Sequence, residues 1–259
     1  MNAPAAWKGA GWELLPEDPL DPPTNVALDE VLLEEVAAGR RPPTLRFWRW
    51  TRRAVIIGRF QSLRNEVDRD AAAAMNVEVV RRISGGGAML VEPDLAITYS
   101  LYYPARFVAG MSIQDSYCAS DSWAVAALND VGVSARYVPL NDIACEDGKI
   151  GGAAQSRRRD CVLHHVTIAY EMNPADMVRV LRIGREKLSD KGTPSAAKRV
   201  HPLRRQTDLP RKEIVARMQE AFAASFGLES SSVTATEASQ AEELVRTKFA
   251  LESWTADIP

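Results

Sequence analysis

Three short stretches hold the residues whose types and spacing could do chemistry. In "RRISGGGAML" (81–90), two arginines and a serine precede the three glycines Gly85, Gly86 and Gly87. A backbone bare of side chains lets a ligand approach closely, and its N–H groups beside a guanidinium suit a phosphate or a carboxylate. The same triplet would also serve as a bulge or corner that turns a strand. It is not a P-loop, because no Gly-Lys-Ser/Thr follows, and its spacing is not that of a dinucleotide fingerprint. In "NDIACEDGKIGGAAQ" (141–155), Lys149 stands between an Asp-Gly turn and the pair Gly151–Gly152. Two readings stand side by side: a solvated turn residue, or an ammonium reaching the charged centre of a substrate laid against the strand. Asn141 and Asp142 fall on the partner strand. A carboxylate there would position the lysine or hold Mg²⁺ through water.

The third stretch is "LHHVTIAY" (163–170). Adjacent histidines on a strand point to opposite faces, so His164 and His165 do not share a metal from there. One is a packed or surface residue while the other lines a cleft. The cysteines, Cys118, Cys145 and Cys161, are an odd number without regular spacing, a poor disulfide framework that fits a reducing compartment. No G-x-S-x-G motif is present, and nothing nominates a covalent intermediate on the protein.

The elements that must position these groups follow from periodicity. "NVALDEVLLEEVAAG" (25–39) has helical spacing, with Asn25 or Thr24 to cap it and Gly39 to stop it. "LRFWRW" (45–50) alternates like a half-buried strand, and "AVIIG" (54–58) is a short apolar one. Residues 67–76 read as a helix, 77–82 and 96–103 as strands, and 112–133 as a long amphipathic helix. "EDGK" between apolar runs predicts a hairpin, and "RRRD" before "CVLHHVTIAY" a second. Beyond residue 173 the pattern turns helical, over 175–183, 211–226 and 237–251. Strands in meander order between helices predict an α+β fold with mixed or antiparallel sheets flanked by helices. Residues 1–226 would form the catalytic domain, and 227–259 a short helical tail without a full accessory domain.

Composition narrows the class. The 259 residues carry a net charge of −2, with 46 % hydrophobic and 25 % charged residues, ordinary values for a globular chain. Neither nucleic acid nor an anionic membrane is indicated as a partner. No signal peptide or membrane span is evident, which predicts a cytoplasmic protein.

In their order and spacing, these stretches resemble the lipoate–protein ligase A family, within the wider group of biotin and lipoate ligases and acyltransferases. The resemblance runs from about residue 25 to 254 and includes "NVALDEVLL", "LRFWRWTRRAVIIGRFQS" and "KLSDKGTPSAAKRV" beside the three stretches above. It implies a catalytic domain that activates lipoate or octanoate with Mg²⁺-ATP to an acyl-adenylate and passes the acyl group to a lysine of a lipoyl carrier domain. It implies Lys149 as the catalytic cation bridging the acyl carbonyl and α-phosphate. Arg82, Ser84, Gly85–Gly87, Ala88, Asn141, Asp142, Gly152, His165 and Thr167 would contact the adenylate, with Asp142 also supporting Mg²⁺. Expected partners are a carrier of the dehydrogenase, glycine-cleavage or a specialised type, and a separate accessory protein supplying a missing domain. Two alternatives accompany this reading. One is an ATP-independent octanoyltransferase of the same fold, which moves octanoyl between carriers and uses a nucleophilic cysteine. The other is a catalytically inactive carrier-binding protein.

Overall fold

The computed structural model describes residues 3–182 and 200–259. Two short strands, β1 (Glu13–Leu15) and β2 (Pro19–Leu20), lead into helix α1 (Pro22–Ala37). The helix begins two residues before Thr24 and three before Asn25, the caps expected from the sequence. Asp21 caps it, its carboxylate accepting from the Thr24 N–H at 2.9 Å, and Pro22 and Pro23 fill the first positions, where an N–H is not needed. Asn25 is instead buried and donates to the carbonyls of Leu20 and Arg49.

Strand β3 (Thr44–Trp50) is followed by β4 (Ala54–Ile57), the short helices α2 (Leu63–Glu66) and α3 (Arg69–Ala74), and β5 (Glu78–Arg81). The expected helix over 67–76 is therefore shortened to α3, which Asp68 caps through the Ala71 N–H, and α2 precedes it as a separate turn. Next come β6 (Met89–Val91), β7 (Ala96–Pro104), the long helix α4 (Ile113–Asp130), β8 (Arg136–Val138) and β9 (Asp142–Ala144). The two hairpin strands β10 (Lys149–Arg158) and β11 (Cys161–Ala169) pair antiparallel through the turn at 159–160, as the sequence predicts. Helices α5 (Pro174–Val180) and α6 (Arg211–Phe226), strand β12 (Glu229–Ser230), and helices α7 (Ala235–Leu244) and α8 (Glu252–Thr255) complete the chain.

The main sheet has nine strands in the order β12-β1-β3-β7-β11-β10-β9-β8, with β2 on the flank of β3. Its inner strands are covered on both faces. Ile97, Tyr99, Val166 and Ile168 pack with α4 and α6, while Tyr102 and Leu163 pack against α1. Strand β3 is accordingly buried almost throughout, not half-buried. Its Arg46 donates to the Asn25 backbone carbonyl and side-chain oxygen and lies over the Trp48 ring. A three-stranded sheet, β5-β4-β6, lies beside it, and the glycine triplet is the link between β5 and β6.

Residues 227–259 are stitched onto this frame. Strand β12 extends the main sheet beside β1, and α7 packs along α1. Buried Arg41 grips Glu237 through two N–H groups and Glu13 through a third. Fully buried Arg81 donates to the carbonyls of Gly58 and Gln61 on one side and of Thr255 and Ile258 on the other. The segment near residue 258 is thereby fastened under the turn that follows β4. Among the described residues, no helix is long and apolar enough to cross a membrane.

Candidate active site

The hairpin of β9 and β10 places Lys149. An irregularity in the pairing between Lys149 and Gly151 turns the lysine side chain across the strand, so that its Nζ reaches Asp142 Oδ1 at 2.8 Å. Gly152 pairs with Asp142, and a Cβ at Gly152 would lie 2.7 Å from the ammonium nitrogen. The ammonium thus rests on a floor that only glycine leaves open. Its side chain is 31 % exposed, and it shares with Gly86 and Gly87 the wall of a cavity of about 410 Å³. Met89, Leu90, Leu95, Met177 and Leu181 supply apolar wall to the same trough.

The glycine loop is held from beneath. Buried Arg82 donates from Nε to Ser84 Oγ at 2.9 Å and from its terminal nitrogens to the carbonyls of Ile56, Gly85 and Gly87. Burial lowers its pKa to about 10, so it stays protonated at neutral pH. Three of these bonds go to the loop and one to β4, which makes Arg82 a clamp for the backbone more than a ligand for an anion. Gly86 sits at φ +86°, and a Cβ at Gly58 would meet its carbonyl oxygen at 2.2 Å. Gly58 is therefore a packing partner of the triplet that the sequence reading does not single out.

His165 closes a buried chain of hydrogen bonds. Its Nε2 lies 2.7 Å from Ser84 Oγ and its Nδ1 2.8 Å from Asp29 Oδ2. Asp29 also accepts from Ser100 and from the Tyr102 hydroxyl. Asp29 is a second residue missed in the sequence. Its signal is a carboxylate within the apolar run "VALDEVLL", on the face α1 turns toward the sheet. Thr167 meets Thr98 Oγ1 at 3.2 Å, and Asn141 donates to the Ala153 carbonyl beside the trough. Ala88, Asn141, Asp142, His165 and Thr167 all border the trough, whereas Ser84 lies beneath it. His164 faces the other way, Nε2 at 2.6 Å from Asp121, so the two histidines do separate across the sheet.

Burial depresses the pKa of His165 below the ordinary imidazole value, despite the hydrogen bond to Asp29. A group that binds its proton less readily when folded takes stability away as the pH falls below the unfolded value of about 6.5. His165→Gln is expected to flatten that acid limb. Urea midpoints at pH 7 and pH 5 check it: the drop between them is smaller in the variant than in the native chain.

An Mg²⁺ ion at Asp142 would have to share the carboxylate with the Lys149 ammonium at 2.8 Å. Like charges at that range do not fit a divalent site, and no step below passes through a metal. The thiols also stand away from the trough. Cys145, three residues beyond trough-lining Asp142, is turned by strand alternation to the opposite face and is buried in the core, and buried Cys161 has its pKa pushed up to about 12 by desolvation. The loop "KLSDKGTPSAAKRV" lies outside the described residues except for Val200, which borders the trough. At the turn between β10 and β11, Arg158 and Arg159 pair with Glu30 and Glu34 of α1.

Comparison with known proteins adds the following. The family model described as the lipoyl protein ligase A/B catalytic domain matches residues 21–223. Octanoyltransferase LipM of Exiguobacterium sp. is 29 % identical, with 95 % of this chain and 98 % of the relative covered. Octanoyltransferase LipM of Moorella thermoacetica is 31 % identical over 68 % of this chain and 71 % of the relative. Among solved structures, a bipartite lipoate protein ligase of Thermoplasma acidophilum, described with its E2 lipoyl domain, is 26 % identical with a TM-score of 0.81, covering 96 % of this chain and 97 % of that one. A lipoate-protein ligase A bound with ATP matches equally well, at 26 % identity and a TM-score of 0.81, covering 96 % of this chain and 99 % of that one. The expected α+β fold stands. The expected ATP-dependent lipoate ligase does not: the Exiguobacterium and Moorella proteins and further curated relatives carry the octanoyltransferase name instead.

Proposed function

The chain belongs to the lipoyl protein ligase A/B catalytic-domain family and is an enzyme of protein lipoylation, and from that premise we propose that it is an octanoyltransferase working without ATP. It takes an octanoyl group from a carrier-protein thioester and gives it to the lysine amine of a lipoyl carrier domain. The observation that carries this reading is the Lys149 ammonium held over a glycine floor at one wall of an apolar trough. An eight-carbon chain suits the apolar side, and the thioester carbonyl suits the cation.

The chemistry is a displacement at an acyl carbon. The acceptor amine attacks the carbonyl carbon, negative charge gathers on the carbonyl oxygen, and Lys149 stabilises it. Collapse breaks the carbon–sulfur bond, the proton leaving nitrogen ends on the departing thiolate, and the products are an amide and a free thiol. Asp142 holds the ammonium in place through their ion pair at 2.8 Å. His165 has both ring nitrogens engaged with Ser84 and Asp29, so it fixes the glycine loop and does not carry the proton. Among the described residues the cations bordering the trough are Arg82 and Lys149; Arg82 is committed to carbonyls, and Glu92, Asp142 and Glu171 also line it, which supports a thioester donor over a polyphosphate.

No thiol borders the trough among the described residues, which supports direct transfer to the acceptor without an acyl-enzyme. The test uses octanoylated carrier protein and a lipoyl domain, with no nucleotide. Intact-mass measurement is expected to show one octanoyl group added to the lipoyl domain. Absence of transfer unless ATP and free acid are supplied would end the proposal. An octanoyl-enzyme adduct trapped on a cysteine in the absence of acceptor would refute the direct route alone.

A further inference from the structure

Behind the strand that carries Lys149, three side chains unused by the reaction converge. The turn joining β9 to β10 is closed by the Cys145 N–H donating to the Gly148 carbonyl at 2.9 Å. The segment that re-enters after the undescribed stretch runs beside it. Val200 pairs with Lys149, and the His201 N–H donates to the Lys149 carbonyl at 2.8 Å. Since Val200 faces the trough, His201 faces away from it, toward the side of the sheet where Cys145 is buried. One donor atom each of Cys145, Asp147 and His201 lies within 4.8 Å of the others, and His201 Nε2 stands 3.9 Å from Asp147 Oδ2.

A bland account would make this a core cysteine beside a packed histidine. One observation counts against it. His201 is 8 % exposed, yet its Nδ1 is buried without a hydrogen-bond partner among the described residues. A buried imidazole nitrogen with no partner is costly and calls for an explanation, an unseen ion being one. Thiolate, imidazole and carboxylate are a donor set that favours zinc-like ions over magnesium or calcium. A tetrahedral zinc with bonds of about 2.0–2.3 Å holds its donors roughly 3.5 Å apart. The contraction needed is about 1 Å, and Asp147, whose side chain is 72 % exposed, is free to swing inward.

We propose that Cys145, Asp147 and His201 form a binding site for a thiophilic divalent metal ion of the zinc class, on the sheet face opposite the trough. The three ligands leave a fourth position to water. Binding replaces the Cys145 S–H proton, which passes to solvent, with a metal–sulfur bond, and no electrons are transferred. The ion would tie the turn at 145–148 to the segment at 200–201, and so brace the hairpin end that presents Lys149.

The test uses full-length, tag-free protein stripped of metal and titrated with Co²⁺. One equivalent is expected to bind with a thiolate-to-cobalt charge-transfer absorption, which Zn²⁺ then displaces. Zn²⁺ is expected to raise the melting temperature in step with its affinity. Cys145→Ser abolishes the absorption, and Cys118→Ser leaves it unchanged. His201→Gln weakens binding at least tenfold. Should that variant fold poorly, Asp147→Asn at the exposed position is expected to lower the affinity with an unaltered circular dichroism spectrum. Binding without the sulfur signature, a signature that survives Cys145→Ser, or no binding at all overturns the site.

Discussion

Lys149→Ala is expected to lower the turnover of acyl transfer roughly 100- to 1,000-fold, the range seen when one preorganised donor to a developing oxyanion is removed. The size follows from placement. The ammonium is two-thirds withdrawn from water, held by Asp142 at 2.8 Å, and shares the wall of the trough with the glycine loop. Its charge meets little in the ground state, where the thioester carbonyl is neutral, and most when the tetrahedral intermediate forms. The loss should therefore fall on kcat, with KM for the octanoyl donor little changed. Lys149→Arg is not expected to restore the rate, because a planar guanidinium is broader than an ammonium and the Gly152 floor leaves no margin. Steady-state kinetics with octanoylated carrier as donor check this, with circular dichroism as the control for folding. A variant keeping more than a tenth of the native turnover would remove Lys149 from the chemistry.

The site was legible where residue type alone constrains it. A lysine between an Asp-Gly turn and two glycines is conspicuous in the sequence, which left it open between a solvated turn residue and a site cation, while the hairpin that carries it follows from the same turn signal. What the sequence hides are partners brought in from far along the chain. Asp29 lies 136 residues from the His165 it orients, and Gly58 touches the triplet only because β4 and β5 run parallel. Charge misled in two places. Arg82 beside three glycines reads as an anion site, yet its guanidinium closes on the loop's own carbonyls. Arg46 made β3 look half-exposed, yet its guanidinium is buried against Asn25 and Trp48, and within the strand Arg49 alone reaches solvent. The difference between the expected ligase and the proposed transferase has a similar origin. The lysine, glycines and paired histidines resemble what both activities use to hold an acyl group, and those motifs do not report whether the leaving group is a nucleotide or a thiol.

Two neighbouring glycines allow the floor of the trough to be separated from its frame. A Cβ at Gly152 would fall 2.7 Å from Lys149 Nζ and 3.0 Å from Cε, the far end of a flexible chain. The lysine can move aside at little energetic cost, so Gly152→Ala should fold with almost native stability while its ammonium is displaced by about an ångström. Displacement on that scale lowers rates on the order of 100-fold. Gly151 faces the other side, where a Cβ would fall 2.8 Å from the Thr167 carbonyl oxygen and 3.2 Å from Ile168 Cα. These are backbone atoms of the paired strand, and they cannot yield without opening the ladder between β10 and β11. Gly151→Ala is therefore expected to lose about 1–3 kcal/mol of stability, as overpacked cores do, with the folded fraction keeping more of its turnover than Gly152→Ala. Urea denaturation and transfer rates per folded molecule, measured on both variants, must diverge in opposite directions. If Gly152→Ala unfolds as readily as Gly151→Ala and its folded remainder transfers octanoyl normally, the ammonium does not depend on that floor.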